Sequence, residues 1–218
     1  FAFWKTAGLY ARCDNLTAEA KDEFVTVRAN YTLPNGQTLP IDFAIDGAGR
    51  CDITMTWQGA RTELPEFGLL FPLRRELTEV SYLGLGPRET AADRTAGGKM
   101  GEWSYNIRQD FAQNSPVYPQ ECGSRTDVYR AAVTGNIPGI CFAGDGMTFS
   151  ALPYTPHELE NARHLYELPR DDNKTVVRCA AFQRGVGGDN SWGAKPHADA
   201  CFAVEKGMTF AFTIQKQG

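Results

Sequence analysis

The amino-acid sequence predicts an all-β protein with one short helix. Two observations support this fold class: apolar and polar residues alternate over many short stretches, and the 22 glycines and 12 prolines are spread along the chain as turn residues. Alternation with a period of two is typical of strands that bury one face. Because linkers and low-complexity tracts are absent from the sequence, we expect a single β-sandwich domain over residues 1–218.

Three alternating stretches near the start of the chain predict a β-meander. They cover residues 24–32, 39–45 and 51–57. Residues 34–36 read Pro-Asn-Gly, in which Asn-Gly favours the positive φ angles of a hairpin turn. Residues 46–49 read Asp-Gly-Ala-Gly and turn the chain again. The meander should therefore have short connections and one apolar face.

Later parts of the chain repeat the strand pattern less clearly. Residues 147–151, 175–182 and 208–214 predict further strands, and the last of these places Met, Phe, Phe and Ile on one face. Residues 84–123 form the least regular stretch, where we expect long loops. The many-stranded all-β prediction rests on these runs together with the meander.

One helix is signalled, near residues 156–164. Thr155 is a suitable N-cap, Pro156 suits the first helical position, and Glu158 completes a capping box. The helix would carry His157 and His164, seven positions apart and near one face. Two such histidines could contribute to a site, but they are more often surface residues.

Composition and charge exclude several function classes. The chain has 22 basic and 26 acidic residues, a net charge of −4, and no basic run, which argues against nucleic-acid binding. No apolar stretch approaches the roughly 18 residues of a membrane helix. The first five residues, Phe-Ala-Phe-Trp-Lys, do not resemble a signal peptide, and the missing initiator Met is expected of a fragment or a processed chain.

The six cysteines lack the spacings of a zinc site. They form no C-x-x-C pair and have no His at ligand spacing. We expect reduced, structural thiols in a cytoplasmic protein; three disulfides would be the extracellular alternative. The cysteines are Cys13, Cys51, Cys122, Cys141, Cys179 and Cys201.

The sequence contains no recognisable catalytic motif. Glycoside cleavage usually needs two carboxylates flanking the scissile bond, and no acidic residue stands in a context that singles it out. A G-x-S-x-G nucleophile elbow and a phosphate-binding G-x-x-x-x-G-K-[ST] loop are absent. Residues 84–87, Gly-Leu-Gly-Pro, resemble a dinucleotide loop only superficially, because the third glycine and the following helix are missing.

The strongest local feature is a segment that we call the glycine loop (residues 185–193), Gly-Val-Gly-Gly-Asp-Asn-Ser-Trp-Gly. Its glycines predict a loop with unusual backbone angles. Trp192 is either a core anchor or an exposed platform on which a sugar ring could stack, with neighbouring polar groups holding hydroxyls. The candidate loop residues are Gly185, Gly187 and Gly188 for conformation, Trp192 for stacking, and Asp189, Asn190 and Ser191 as weaker sugar contacts.

Four ordered segments resemble the large bacterial β-galactosidases that hydrolyse lactose. The glycine loop is similar to their G-x-G-G-D-x-S-W stretch near the C-terminus. Residues 82–94 resemble W-x-G-x-G-P-x-E…D-R, residues 118–128 resemble P-x-E-x-G-x-R, and residues 149–164 resemble the strand and helix that follow. The best match covers residues 64–214.

This resemblance implies a C-terminal domain of a glycoside hydrolase family 2 β-galactosidase, with the galactose-mutarotase-like β-supersandwich fold. The retaining catalytic glutamates and the Mg and Na ligands would lie in other domains, including a TIM-barrel catalytic domain, and the whole enzyme would be a homo-oligomer. This chain would then have no catalytic residue and no metal ligand. Trp192 would line the galactoside pocket, and the isolated domain would be inactive.

The match has one departure and leaves some roles open. Family members often have an aromatic residue where this chain has Ala91. The charged motif residues are interpreted as contributors to a site or as ion pairs that brace loops, and the second reading is favoured for Glu89, Asp93, Arg94, Glu121 and Arg125. Two other functions on the same fold remain open: an aldose epimerase, which needs a general base and acid, and a non-catalytic carbohydrate-binding module.

Overall fold

The computed structural model describes residues 1–169, 173–190 and 192–217, and these are mostly β-strand. The strands are β1 Arg12–Lys21, β2 Phe24–Thr32, β3 Thr38–Asp46, β4 Cys51–Thr56, β5 Thr62–Glu63, β6 Glu66–Arg74, β7 Leu77–Gly86, β8 Lys99–Asn106, β9 Arg125–Gly135, β10 Ile140–Leu152, β11 Lys174–Gln183, β12 Ala203–Val204 and β13 Thr209–Lys216. The helices are α1 Trp4–Ala7, α2 Ile107–Asn114 and α3 Pro156–Asn161.

The predicted meander is confirmed as β2, β3 and β4. These strands pair antiparallel in chain order. Gly36 has φ +83° in the first turn and Gly49 has φ +82° in the second, both in the left-handed region that favours glycine. The alternation buries Ile41 and Ile53 in the core. The later predicted strands are confirmed within β10, β11 and β13.

Eleven strands form one antiparallel sheet that branches at β10. One edge of β10 pairs with β9. The other edge is divided: residues 140–144 pair with β13, and residues 148–152 pair with β11. One branch therefore continues from β13 through β4, β3 and β2 to β1, and the other consists of β11 and β6.

The two branches pack face to face, which gives the predicted sandwich. Phe71 on β6 lies with its ring centroid 5.8 Å from that of Phe142 on β10 and 6.0 Å from that of Phe212 on β13. Phe67, also on β6, lies 6.2 Å from Trp57, which directly follows β4. These aromatic residues belong to one apolar core.

The helix prediction needs two corrections. The capping box at Thr155 is present, but α3 ends at Asn161 and not near residue 164, because Ala162 is extended at φ −86° and ψ 136°. The prediction of one helix is also wrong, since α1 and α2 are present. Helix α2 was missed because its one buried residue, Ile107, leaves no apolar stripe to detect.

Residues 84–123 are more regular than expected. They contain the end of β7, all of β8 and all of α2. Strand β8 lies at one edge of the sheet, where β7 is its partner among the described strands, and none of its residues is fully buried. The long loops that we expected in this segment are confined to the connections between these elements.

All six cysteines are free thiols, in agreement with the predicted reduced state. Cys122, Cys141 and Cys179 are buried. Burial raises the pKa of the Cys122 thiol to about 12, with the nearby Glu121 and Glu89 adding to the shift. Such thiols stay protonated and unreactive at neutral pH. Among the described residues, no helix is long and apolar enough to cross a membrane.

Candidate functional site: a braced loop with an exposed tryptophan

The base of the glycine loop is held by backbone hydrogen bonds. The loop leaves β11 and returns to a short 3-10 turn at Ala198–Ala200. The Gly185 N–H donates to the Ala200 carbonyl at 2.9 Å. The Gly187 N–H donates to Asp93 Oδ2 at 2.7 Å. A carboxylate from the β7–β8 connection thus holds a loop that lies 94 positions further along the chain.

Two glycines at this base leave no room for a side chain. A Cβ on Gly185 would lie 2.9 Å from both Ala200 Cβ and Asp93 Cγ. A Cβ on Gly188 would lie 2.3 Å from the carbonyl oxygen of Ala194. The unusual backbone angles predicted for Gly185, Gly187 and Gly188 are wrong, since φ is positive at none of the three. Gly185 and Gly188 are needed instead because the loop packs closely on itself and on Asp93, whereas a Cβ on Gly187 would meet only an ordinary contact at 3.8 Å.

The tip of the loop is exposed. Trp192 is 92% exposed. The interpretation of Trp192 as a core anchor, which the sequence left open, is therefore wrong. The Trp192 N–H donates to Asn190 Oδ1 at 2.8 Å, a local turn in which the Asn side chain fixes the backbone. Gly193 follows at φ +93°. Ser191 lies outside the described residues.

Asp189 forms a hydrogen bond with His197, a contact that the sequence did not indicate. Its Oδ1 lies 2.7 Å from His197 Nε2, and both side chains are well exposed. The hydrogen bond that this carboxylate accepts, together with its charge, raises the pKa of His197. The pair connects the glycine loop, at a position before Trp192, to the segment that follows the loop. Asp189 and Asn190, predicted as sugar contacts, thus both have a structural partner close by in the chain.

The motif residues before the loop form braces beneath it. Glu89 pairs with Arg94, and its other oxygen accepts the Gly123 N–H at 2.6 Å. Ala91 is buried, and its carbonyl accepts the Arg94 N–H at 2.8 Å in the turn that presents Asp93. Three of the four motif segments, residues 82–94, 118–128 and 185–193, are therefore brought together around Glu89 and Asp93.

A buried arginine, Arg178, connects β11 to this region. Its guanidinium donates to Glu66 at 2.9 Å, to Glu121 Oε2 at 3.0 Å and to Ser150 Oγ at 3.0 Å. Burial alone would lower its pKa, but the charges of Glu121 and Glu66 outweigh it and the pKa is raised. Sequence reasoning missed Arg178, although a single cation within the apolar run 175–182 was a usable signal.

Arg125 is the second buried cation. It is 1% exposed and donates to Asp110 Oδ2 at 3.0 Å and to the Gly123 carbonyl at 2.8 Å. Its guanidinium lies 4.3 Å above the ring of Tyr105. Buried charges need such partners. The interpretation as bracing ion pairs is therefore confirmed for Arg125, as it is for Glu89, Arg94 and Glu121. Asp93 braces the loop through its hydrogen bond with the Gly187 amide, and no hydrogen-bond partner is found for its buried Oδ1 among the described residues.

The two helix histidines do not form a site. His157 lies on α3, but His164 lies beyond its end and stacks on Tyr166 with ring centroids 5.1 Å apart. The common face predicted for them does not exist. In the described part of the chain, no three His, Cys, Asp or Glu side chains lie close enough together to hold a metal ion.

Comparison with known proteins shows the family. The family described as the β-galactosidase small chain matches residues 1–214. The chain belongs to this β-galactosidase small chain family. A β-galactosidase from Lactobacillus delbrueckii subsp. bulgaricus is 37% identical to this small chain over 220 residues, which cover 98% of the chain and 21% of that protein.

A β-galactosidase small subunit from Latilactobacillus sakei is 36% identical to this small chain over 187 residues, covering 78% of the chain and 57% of that protein. The chain spans about a fifth of the length of its larger relatives. Among solved structures, a galactose mutarotase related enzyme from Lactobacillus acidophilus matches with 8% identity and a TM-score of 0.41, covering 94% of this chain and 71% of that one. A likeness this weak carries no argument about the site.

Proposed function

We propose that this small chain is the non-catalytic C-terminal part of a retaining β-galactosidase that hydrolyses terminal β-D-galactosides such as lactose. In this proposal residues 1–218 form one domain, and the domain completes the sugar pocket with Trp192. Family membership supports the parent activity, since the matched relatives carry the name β-galactosidase. The contribution of Trp192 is argued from its geometry.

One observation supports the proposed role of Trp192 in sugar binding. Its side chain is 92% exposed, and it lies on a loop whose base is held by hydrogen bonds. Leaving so large an apolar side chain in water has no benefit for folding. The C–H face of a pyranose can pack on an indole, as ligand pockets combine aromatic walls with a few polar groups. A fixed base would keep the ring in position for the sugar.

The chemistry is proposed to lie elsewhere in the parent protein. A retaining glycosidase needs two carboxyl groups roughly 5–5.5 Å apart, one as nucleophile and one as acid and base. Near the glycine loop, both oxygens of Glu89 and one oxygen of Asp93 already accept hydrogen bonds that brace the loop. We place the two carboxylates in the TIM-barrel domain of the parent enzyme, a cytoplasmic homo-oligomer.

The metal ions of the parent are proposed to bind outside this chain as well. The described residues offer no group of three His, Cys, Asp or Glu side chains that could hold a metal ion. No step of the proposed contribution of Trp192 involves a metal.

Complementation tests this division of roles. The purified 218-residue chain should not hydrolyse a chromogenic β-galactoside, and activity should appear when the chain is combined with the remaining part of the parent protein. Turnover by the purified chain alone would contradict the proposal.

A carbohydrate-binding module is the second candidate, because the exposed Trp192 would serve it equally well. Titration of the isolated chain with galactose or lactose, followed by tryptophan fluorescence, separates the two functions. Submillimolar binding that Trp192→Ala abolishes would favour the module, whereas a single platform that belongs to a larger pocket should bind weakly by itself.

A further inference from the structure

The first three strands present an apolar face that is exposed at its far end. The register places Leu16, Ala18 and Ala20 of β1 beside Ala29, Val27 and Val25 of β2. It also places Val25, Val27 and Ala29 beside Ile45, Phe43 and Ile41 of β3. We call the far part of this surface, whose side chains are exposed or half-buried, the ribbon face; it consists of Leu16, Ala18, Ala20, Val25, Val27, Phe43 and Ile45.

The ribbon face is the continuation of the inner face of the sandwich. Ile41 on β3 pairs with Met55, and Phe43 pairs with Ile53, so the same face runs through β4 into the core. Branch β11–β6 covers this face near Phe212 through Phe71. The cover ends within β3 and β2: Ile41 and Ala29 are still buried. Further along the same face, Leu16 is 64% exposed, Val25 43% and Ile45 37%.

The opposite face of the same strands is polar. It carries Thr17 and Glu19 on β1, Thr26 and Arg28 on β2, and Asp42 on β3. Arg28 forms two hydrogen bonds of 2.6 Å with Asp42. An antiparallel sheet with one polar and one apolar face normally turns the polar face to water and buries the other. A contiguous exposed apolar face typically marks an interaction surface.

We infer that the ribbon face packs against an apolar surface in the part of the β-galactosidase that lies outside this chain. The chain matches only 21% of the length of its relatives, so four-fifths of such a protein remains to supply the second layer. A relative is named as a small subunit, and an apolar contact of this kind is one way in which a separate subunit is held without a covalent link.

This inference rests on the proposed parent protein but not on the glycine loop. It concerns the opposite end of the long sheet from β8, at the strands that precede β4. The partner surface needs aliphatic or aromatic side chains and no charge facing Val25 or Leu16, since an unpaired charge buried there would be costly.

Cysteine accessibility in the whole β-galactosidase tests the contact. Val25→Cys places a thiol on the ribbon face, and Thr26→Cys places one on the polar face of the same strand. In the isolated chain both thiols should react with a maleimide at similar rates, because both positions are exposed. In the whole enzyme, Val25→Cys should react at least about tenfold more slowly than Thr26→Cys, as followed by peptide-resolved mass spectrometry that also separates the native Cys13.

Hydrogen exchange provides the same readout without substitution. In the wild-type whole enzyme, backbone amides of β1 and β2 should exchange more slowly than in the isolated chain. Equal labelling of the two cysteines in the whole enzyme would overturn the inference. The inference would also be overturned if the amides of β1 and β2 were already protected in the isolated chain and lost this protection on dilution. A second copy of the chain would then cover the ribbon face. Neither readout depends on catalysis or on Trp192. If Trp192 does not contribute to the sugar pocket, the two experiments still test whether the ribbon face is a contact surface.

Discussion

The base and the tip of the glycine loop differ in how tightly they pack and in how far they are exposed to solvent. At the base, Gly185 and Gly188 pack against neighbouring atoms and Asp93 holds the Gly187 amide. At the tip, Trp192 is almost fully exposed and its contacts are local. One continuous motif therefore serves two purposes. Substitutions at the base and in the braces beneath it should change folding stability, whereas substitutions at the tip should change binding.

The largest loss of stability is expected from Arg178→Leu in the buried bracing cluster. Removal of this cation, whose side chain is 6% exposed, leaves Glu66 and Glu121 facing each other without compensation. Breaking a buried pair from one side costs about 3–5 kcal/mol. Urea unfolding of the isolated chain measures this loss in the free energy of unfolding. Arg74→Leu is the control, since the Arg74–Glu76 pair is exposed; similar losses in both variants would show that burial of the cluster is unimportant.

An intermediate effect is expected at the base itself. Gly188→Ala would place a methyl group 2.3 Å from the Ala194 carbonyl oxygen and should cost roughly 1–3 kcal/mol through forced backbone movement. Gly187→Ala is the matched control, because the nearest atom to its Cβ would be Asp93 Oδ2 at an ordinary 3.8 Å. Equal midpoints of denaturation for the two variants would remove the packing argument for this glycine.

A smaller effect is expected at the exposed Asp189–His197 pair. Because Asp189 raises the pKa of His197 in the folded chain, protonated His197 favours the folded state. Its contribution is complete below the unfolded pKa of about 6.5 and is lost as pH rises through the higher folded value. Asp189→Asn should lower the His197 pKa measured by NMR, and the stability difference from wild type should vanish at alkaline pH.

Asp199 supplies the control for this titration. Its charge also raises the pKa of His197, but it is the weakest of the causes, whereas Asp189 makes the direct hydrogen bond. Asp199→Asn should therefore move the His197 pKa less than Asp189→Asn does. A His197 pKa that responds equally to both substitutions would mean that the 2.7 Å pair does not persist in solution.

Local patterns were enough to predict much of the fold. Strand β2 agrees with its prediction residue for residue, because alternation and the Asn-Gly turn are both encoded within a few positions. The branch at β10 was not predictable from the sequence in this way. It depends on residues 148–152 pairing with residues 176–180, and nothing local in either segment selects that partner.

In the candidate site, too, local features were predictable from the sequence and long-range contacts were not. The glycine loop and Trp192 were found from composition and resemblance, since a run of glycines followed by polar residues and a tryptophan stands out in the sequence, whereas the exposure of Trp192 came from the structure. The contacts that give the loop its shape, Asp93 with Gly187 and Asp189 with His197, are set by tertiary packing. Arg178 was missed for a related reason: the two carboxylates that explain a buried cation come from other strands and loops.

Steady-state kinetics of Trp192→Ala in the whole β-galactosidase test the central claim most directly. Loss of an aromatic stacking partner worth about 0.5–1.5 kcal/mol should raise KM for lactose roughly two- to tenfold. It should leave kcat little changed, because stacking holds substrate and transition state alike. Trp192→Phe should keep part of the affinity, and both variants should unfold at the wild-type midpoint. A large loss of kcat with an unchanged KM would contradict the account.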